Sequence, residues 1–301
     1  MWIIFAFSGP IFWALSTHID KYLVEKYFKD EDTAVSMVFT ACIGLIMLPF
    51  IWYFVPGTLS IPFGGMLVMI ASGILYMSAM LFYLRAIQSS EASVVAPLFQ
   101  TSILFTFALG YFVLGERLSL INSIGVMLII LGAISLSLNE KFRFHTTKLK
   151  TFFLMLICTF ILALSTIIFK FFAVHEQFWS TAFWTYVGEA IFGVGILLIP
   201  KYFKQFVSLL KNNTGPLLAI NASNELINLG GGLGVRFASL FAPVVIVSAI
   251  SSTTTLFVFL FGVILTIFIP KFARENLSRA NLIQKGIVAL IVAIGVLLTQ
   301  M

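Results

Sequence analysis

Ala14-Leu15-Ser16-Thr17, followed four residues on by Lys21, recurs as Ala163-Leu164-Ser165-Thr166, followed four residues on by Lys170. Five identities at one constant offset, each inside an apolar run of helix length, mark the chain as a duplication of about 150 residues. The match extends further. Ala92-Ser93-Val94-Val95 aligns with Ala242-Pro243-Val244-Val245, and Glu116, Leu118, Ser119 and Asn122 align with Glu275, Leu277, Ser278 and Asn281.

The composition says where the two copies sit. Sixty per cent of the 301 residues are hydrophobic and 10% are charged, against about 45–50% and about 25% in soluble domains. Mean hydropathy is +1.07. A helix that crosses the hydrocarbon core needs about 20 apolar residues, and its backbone must be satisfied internally. Ten segments fit: 2–23, 34–54, 64–84, 93–114, 120–138, 151–172, 179–199, 215–235, 241–269 and 286–300. The expected fold is an all-α polytopic membrane protein of ten transmembrane helices. Residues 1–138 form the first five-helix repeat, 139–150 a polar linker, and 151–301 the second repeat. Because five is odd, the second repeat enters from the opposite membrane face, which makes the pair an inverted-topology repeat.

The charge of +6 lies in short loops, which fits a positive-inside bias and not nucleic-acid binding. Outside the membrane-embedded lysines, the odd-numbered loops hold 14 Lys and Arg, and the even loops with the termini hold 2. That asymmetry puts the odd loops in the cytoplasm and both termini outside. The opening Met1-Trp2-Ile3-Ile4-Phe5 has no basic stretch before its apolar run, so it is expected to start the first membrane helix, not a removable signal peptide. Cys42 and Cys158 lie inside apolar segments and read as core residues.

Intramembrane polar groups are expensive and therefore functional candidates. Asn221, Asn224, Glu225 and Asn228 fall at i, i+3, i+4 and i+7 of the eighth segment, one helical face. This stripe is read as a substrate-binding surface, with helix–helix hydrogen bonding as its alternative. Glu225 would hold an ammonium or serve as a proton-coupling carboxyl. Gly230, Gly231, Gly232 and Gly234 follow, suited either to close helix approach or to a hinge. Gln100 and Ser252 occupy matched places in the fourth and ninth segments, and Tyr76 stands where the first copy aligns with Glu225. Trp13 and Trp184 are deep enough to wall a cavity. Lys21 and Lys170 either snorkel to the interface or act as gate charges near opposite faces. His18 and Glu189 have no repeat counterparts and are kept as coupling candidates, Glu189 also as a partner for a lysine or arginine. Asp20, Arg85 and Arg236 are expected to face the interface, and Glu116 to act as a junction cap or ion-pair member. No cluster has metal-ligand spacing, and neither a phosphate loop nor a nucleophile–base pair occurs, so no metal, cofactor or enzymatic activity is expected.

Two five-helix repeats, a first segment reading Trp13-Ala14-Leu15-Ser16, the stretch 92–97 and the junction Gly110-Tyr111-Phe112-Val113-Leu114-Gly115-Glu116-Arg117-Leu118-Ser119 resemble the EamA-type branch of the drug/metabolite transporter superfamily. The second copy replaces the Gly-Glu step with Ile269-Pro270-Lys271. The resemblance implies a metabolite or drug carrier in the cell (inner) membrane, often an exporter, working by alternating access without ATP. The repeat and the stripe of the eighth segment point to a small polar metabolite as cargo, an amino acid or related compound, moved by an exporter or a proton-coupled or exchange carrier. It also implies termini in the cytoplasm, against the charge count. Lipid or lipid-linked-sugar flipping is the alternative within the same architecture. The oligomeric state is left open.

Overall fold

The computed structural model describes residues 1–26, 33–89, 95, 98–137, 149–212, 214–268 and 279–301. Among them are twelve helices and no strand: α1 (Trp2–Lys26), α2 (Thr33–Phe54), α3 (Phe63–Ser89), α4 (Thr101–Leu114), α5 (Leu120–Ser137), α6 (Leu149–His175), α7 (Phe178–Leu197), α8 (Pro200–Asn212), α9 (Thr214–Ala238), α10 (Val244–Ser251), α11 (Thr254–Phe268) and α12 (Arg279–Leu298). Most of the 92–97 and 139–150 stretches, residues 269–278 and the Lys21 side chain lie outside the described residues.

Among the described residues, each of the ten apolar segments has a helix, with 241–269 divided between α10 and α11. Five spans are long and apolar enough to cross a bilayer by themselves: Trp2–Asp20, Ala34–Phe54, Phe63–Ala86, Thr151–His175 and Val244–Phe268. A sixth results if α7 and α8, bent by 98°, are taken as one. Helices α4, α5 and α12 are apolar but shorter, and α9 is depleted in hydropathy by its amides. The outer faces agree with a lipid setting. Leu104, Phe112, Leu131, Leu290, Ile294 and Leu297 are among many large apolar side chains left exposed. Each would forfeit about 1.5–3 kcal/mol in water relative to burial, a penalty that lipid removes.

Helix α8 was expected as a loop. Its pattern is amphipathic: Tyr202, Phe206 and Leu209 pack inward near Leu23 and Val35, while Lys201, Lys204 and Lys211 are exposed. Phe206 meets Phe39 with ring centroids 5.2 Å apart. Three lysines in thirteen residues lower its hydropathy to that of a connecting segment, although its period is helical.

Inside, α1 packs along α9, α3 along α6 and α7, α2 against α7, α5 against α12, and α4 against α6. The α3–α7 crossing is set by two glycines. A Cβ on Gly73 would lie 2.0 Å from the Thr185 carbonyl oxygen, and one on Gly188 would lie 2.0 Å from that of Ile70. Small residues at crossings are how membrane helices gain contact without a hydrophobic drive. Two helices break inside the bundle. Gln100 is a turn between helical Leu98–Phe99 and α4, and Ser252–Thr253 a turn between α10 and α11. At each break a threonine hydroxyl donates three residues back: Thr101 to the Leu98 carbonyl and Thr254 to that of Ser251, both at 2.7 Å.

Candidate functional site

Helix α9 divides its residues by face. Leu218, Ala219, Ala222, Ser223 and Leu226 point outward and are exposed. Asn221 and Asn224 are buried, and Glu225 and Asn228 are half-buried. What lets so polar a face enter the bundle is its close seating on α1. A Cβ on Gly234 would lie 1.8 Å from the Ser8 hydroxyl, and one on Gly231 would lie 3.3 Å from the Gly9 Cα. The glycine run stays helical, so at these two positions it serves close approach. Gly232 differs: no atom lies within 4 Å of where its Cβ would be, which leaves open space on the polar face.

Partners reach the stripe from two other helices. The Asn224 amide donates to Asp20 Oδ1 at 2.6 Å, and Ser16 donates to Asp20 Oδ2 at 3.3 Å. Thr40 of α2 donates to Glu225 Oε1 at 3.0 Å. Asn224 Oδ1 is buried without a hydrogen-bond partner, a condition that costs about 1–3 kcal/mol. Asp20 thus bonds to α9 while staying exposed at the end of the α1 span, as expected for a group at the interface. It stands one helical turn from Ser16, on the face of α1 that α9 covers.

Farther along the same face lies a second charged group. Arg236 Nη2 donates to Glu189 Oε1 at 3.4 Å, with Glu189 buried in α7. The guanidinium carbon is 4.7 Å from the Phe169 ring centroid, 5.5 Å from Tyr76 and 5.7 Å from Tyr186. Arg236 thus lies within the bundle and not at the interface expected for it. Helix α9 continues to Ala238, and the pull of Glu189 and three rings turns the side chain inward. Tyr76 of α3 is within electrostatic reach of Glu189, Arg236 and Glu225.

At the junction, Lys170 pairs with Glu116 and donates to the Ala242 carbonyl at 2.7 Å. Glu116 also accepts the Val244 backbone N–H at 2.8 Å. Gly115, at φ +67°, ends α4 in the left-handed conformation glycine adopts without strain, and so aims Glu116 at the start of α10. Ser165, one residue of the repeated motif, exchanges bonds with Ser72 of α3 at 2.9 and 3.1 Å.

The remaining candidates are more dispersed. His18 Nε2 lies 3.1 Å from the Val258 carbonyl oxygen of α11. Gln100 and Ser252 sit at the two helix breaks, Ser252 bonding back to Ala249 at 2.6 Å. Trp13 lies against Gly9 and Gly231. The Trp184 indole donates to the Thr58 carbonyl at 3.0 Å, which fixes it beside the α2–α3 connection. Arg85 is exposed. Sequence reasoning missed Thr40, Asp20 and Arg236 as members of the set. Arg236 had a signal, since it stands eleven residues after Glu225 and so on the same helical stripe.

Comparisons with known proteins bear on the family and the fold. Residues 1–138 match the EamA-like transporter family model. An uncharacterized transporter from the cobO 3′ region of a Sinorhizobium species is 30% identical over 138 residues, which cover 45% of this chain and 96% of that protein. A protein crystal structure superposes with a TM-score of 0.67 at 14% identity, over 99% of this chain and 96% of the other, and so shares the fold. The protein is a multi-pass integral membrane protein, and the chain belongs to the EamA-like transporter family of the drug/metabolite transporter superfamily.

Proposed function

We propose that this protein is a secondary transporter that moves a small polar metabolite, an amino acid or related compound, across the cell membrane by alternating access. One observation carries the reading. A stripe of amides and a carboxylate on α9 enters the bundle, finds only part of its partners there, and leaves Asn224 Oδ1 unpaired, with open space at Gly232 about 12 Å farther along the helix. Glu225, Asn224, Asn228 and Asn221 bind the cargo, with Tyr76 and Trp13 as walls and Gln100, Ser252 and Trp184 toward the margins. Glu189 and His18 are the groups available for proton coupling.

The architecture behind this is ten membrane helices in two inverted repeats. Two features support it. The breaks at Gln100 and at Ser252–Thr253 carry the same threonine bond, and broken helices at corresponding places are a feature of inverted-repeat transporters. The packing also exchanges: α1 on α9 has its counterpart in α3 on α6 when first-half helices are mapped onto second-half ones. The Lys170–Glu116 pair, tied to the first turn of α10, is the closed gate of one face.

The test compares metabolites inside cells and in the medium with and without overexpression, and repeats the comparison with Glu225→Gln. A compound redistributed by the wild type and at least about tenfold less by the variant is expected, as for loss of a charge-assisted contact. Unchanged redistribution by the variant would remove Glu225 from the site, and redistribution of lipids alone would favour a flippase. The excess of Lys and Arg in odd loops leads us to place them in the cytoplasm. A single cysteine within residues 139–150 is then shielded from an impermeant thiol reagent in intact cells, and labelling there would reverse the orientation.

A further inference from the structure

Helix α8 carries its side chains in three sectors. At about 100° per residue, Tyr202, Phe206 and Leu209 fall within about 60° of one another and form the inward side. Next around the helix come Phe203, 52% exposed, and the partly buried Val207. Lys201, Lys204, Ser208 and Lys211 complete the turn within about 80°, all four exposed. Lys204, Ser208 and Lys211 line a shallow recess of about 310 Å³ together with Phe203 and Val207, so one concavity is basic on one side and apolar on the other. Residues 198–215 contain no Asp or Glu. Among the described residues, neither Lys204 nor Lys211 has a hydrogen bond or an ion pair.

The bend sets where this surface lies. Helix α8 turns by 98° from α7. In the ten-helix architecture proposed above α7 crosses the bilayer, so α8 runs along its surface for about 20 Å. An apolar flank beside a basic one is the pattern of a helix lying in the interface, where the first meets acyl chains and the lysine stems carry their charges to the headgroups. The inward side meets all three helices of the candidate site. Tyr202, Phe206 and Leu209 pack with Ile19 and Leu23 of α1, Val35 of α2 and Ile220 of α9. Ile19 immediately precedes Asp20, Ile220 precedes Asn221, and Phe39, the ring partner of Phe206, precedes Thr40.

We infer that the outer face of α8 is a docking surface for an anionic phospholipid, and that the bound lipid steadies the packing of α1, α2 and α9 around the candidate site. Lys204 and Lys211 stand seven residues, about 10 Å, apart on one side of the helix. Their flexible four-carbon stems bring both ammonium groups to a headgroup phosphate at the level of Ser208, and an acyl chain runs along Phe203 and Val207. A zwitterionic headgroup would bring its own cation against the lysines, so the surface selects lipids of net negative charge.

The chain, purified in a non-ionic detergent, is given an equal mixture of phosphatidylglycerol and phosphatidylcholine, and the lipid it retains is identified by native mass spectrometry. Retention of phosphatidylglycerol at least about fivefold above phosphatidylcholine is expected, the size of one lysine contact at an anionic surface. Lys204→Gln with Lys211→Gln should bring the two lipids to parity. Arg85→Gln with Arg117→Gln removes the same charge from exposed sites elsewhere and should keep the preference. Equal loss in both double variants would mean that net charge gathers the lipid, and would overturn the site. Inorganic phosphate at matched ionic strength should leave the retained lipid in place, and displacement by it would replace the lipid with a small anion. Added phosphatidylglycerol should also raise the melting temperature of the wild type, and not that of Lys204→Gln/Lys211→Gln, because a ligand of the folded form stabilises it. An equal rise in both would overturn the steadying role. No cargo enters these readouts, so this inference and the transport reading fail separately.

Discussion

Lys170 and Glu116 show how a charge is kept inside an apolar bundle. Lys170 is 9% exposed, so its ammonium must be matched where it stands. It has both a carboxylate and the Ala242 carbonyl, while Glu116 has a second bond from the Val244 N–H. Breaking such a pair from one side leaves an uncompensated charge and costs about 3–5 kcal/mol, whereas removing both charges costs far less. Lys170→Met and Glu116→Gln should each lower the melting temperature in detergent, and the double variant should fall well short of the sum. Full additivity would mean that the two do not act as a unit. The same logic explains which residues could be identified from sequence alone. Glu225 and its amides stand out because they occur on one period of an apolar segment. Arg236 does not, because position near a segment end says nothing about whether a long side chain turns inward, and Glu189, which turns it, lies 47 residues away in sequence.

At the level of elements, α7 holds the arrangement together by meeting α3 through Gly73 and Gly188 and carrying Glu189 next to that contact. Gly188→Ala forces a methyl against the Ile70 carbonyl at 2.0 Å. Because the obstacle is backbone, relief requires moving a helix, for about 1–3 kcal/mol. Thermal melts should show that loss for Gly188→Ala and little change for Gly195→Ala on the same helix, where no atom lies within 4 Å. Equal melts would mean that the crossing is not set by the glycine. Apolar runs made the remaining helices legible, since length and hydropathy leave little choice of structure in lipid. Helix α8 was hidden by the same measure. Its signal is a helical period with Tyr202, Phe206 and Leu209 on one side, and a reading by hydropathy averages that period away. The 98° bend before it falls at Pro200, the first residue of α8, where a proline ends the preceding helix.

For the whole molecule, the proposed site lies in residues that the repeated motif does not copy. Ser165 bonds to Ser72 between α6 and α3, whereas Ser16 bonds within α1 to Asp20, which in turn accepts from Asn224 of α9, so the motif ties two helices directly in one half and supports the polar set in the other. Asp20, Glu189, Glu225 and Arg236 have no acidic or basic equivalents in the bundle's other half, apart from exposed Arg85. The account's central claim is that the inward face of α9 lines a water-reachable path. The direct measurement is the rate at which an impermeant, water-soluble thiol reagent modifies single cysteines in membranes, with Cys42 and Cys158 replaced. Asn228→Cys and Gly232→Cys should react readily and Ala219→Cys and Leu226→Cys should not, because the account turns the first pair toward the path while the second pair lies on the exposed opposite face of α9. Reaction at Leu226→Cys as fast as at Asn228→Cys, or at neither stripe position, would contradict the account.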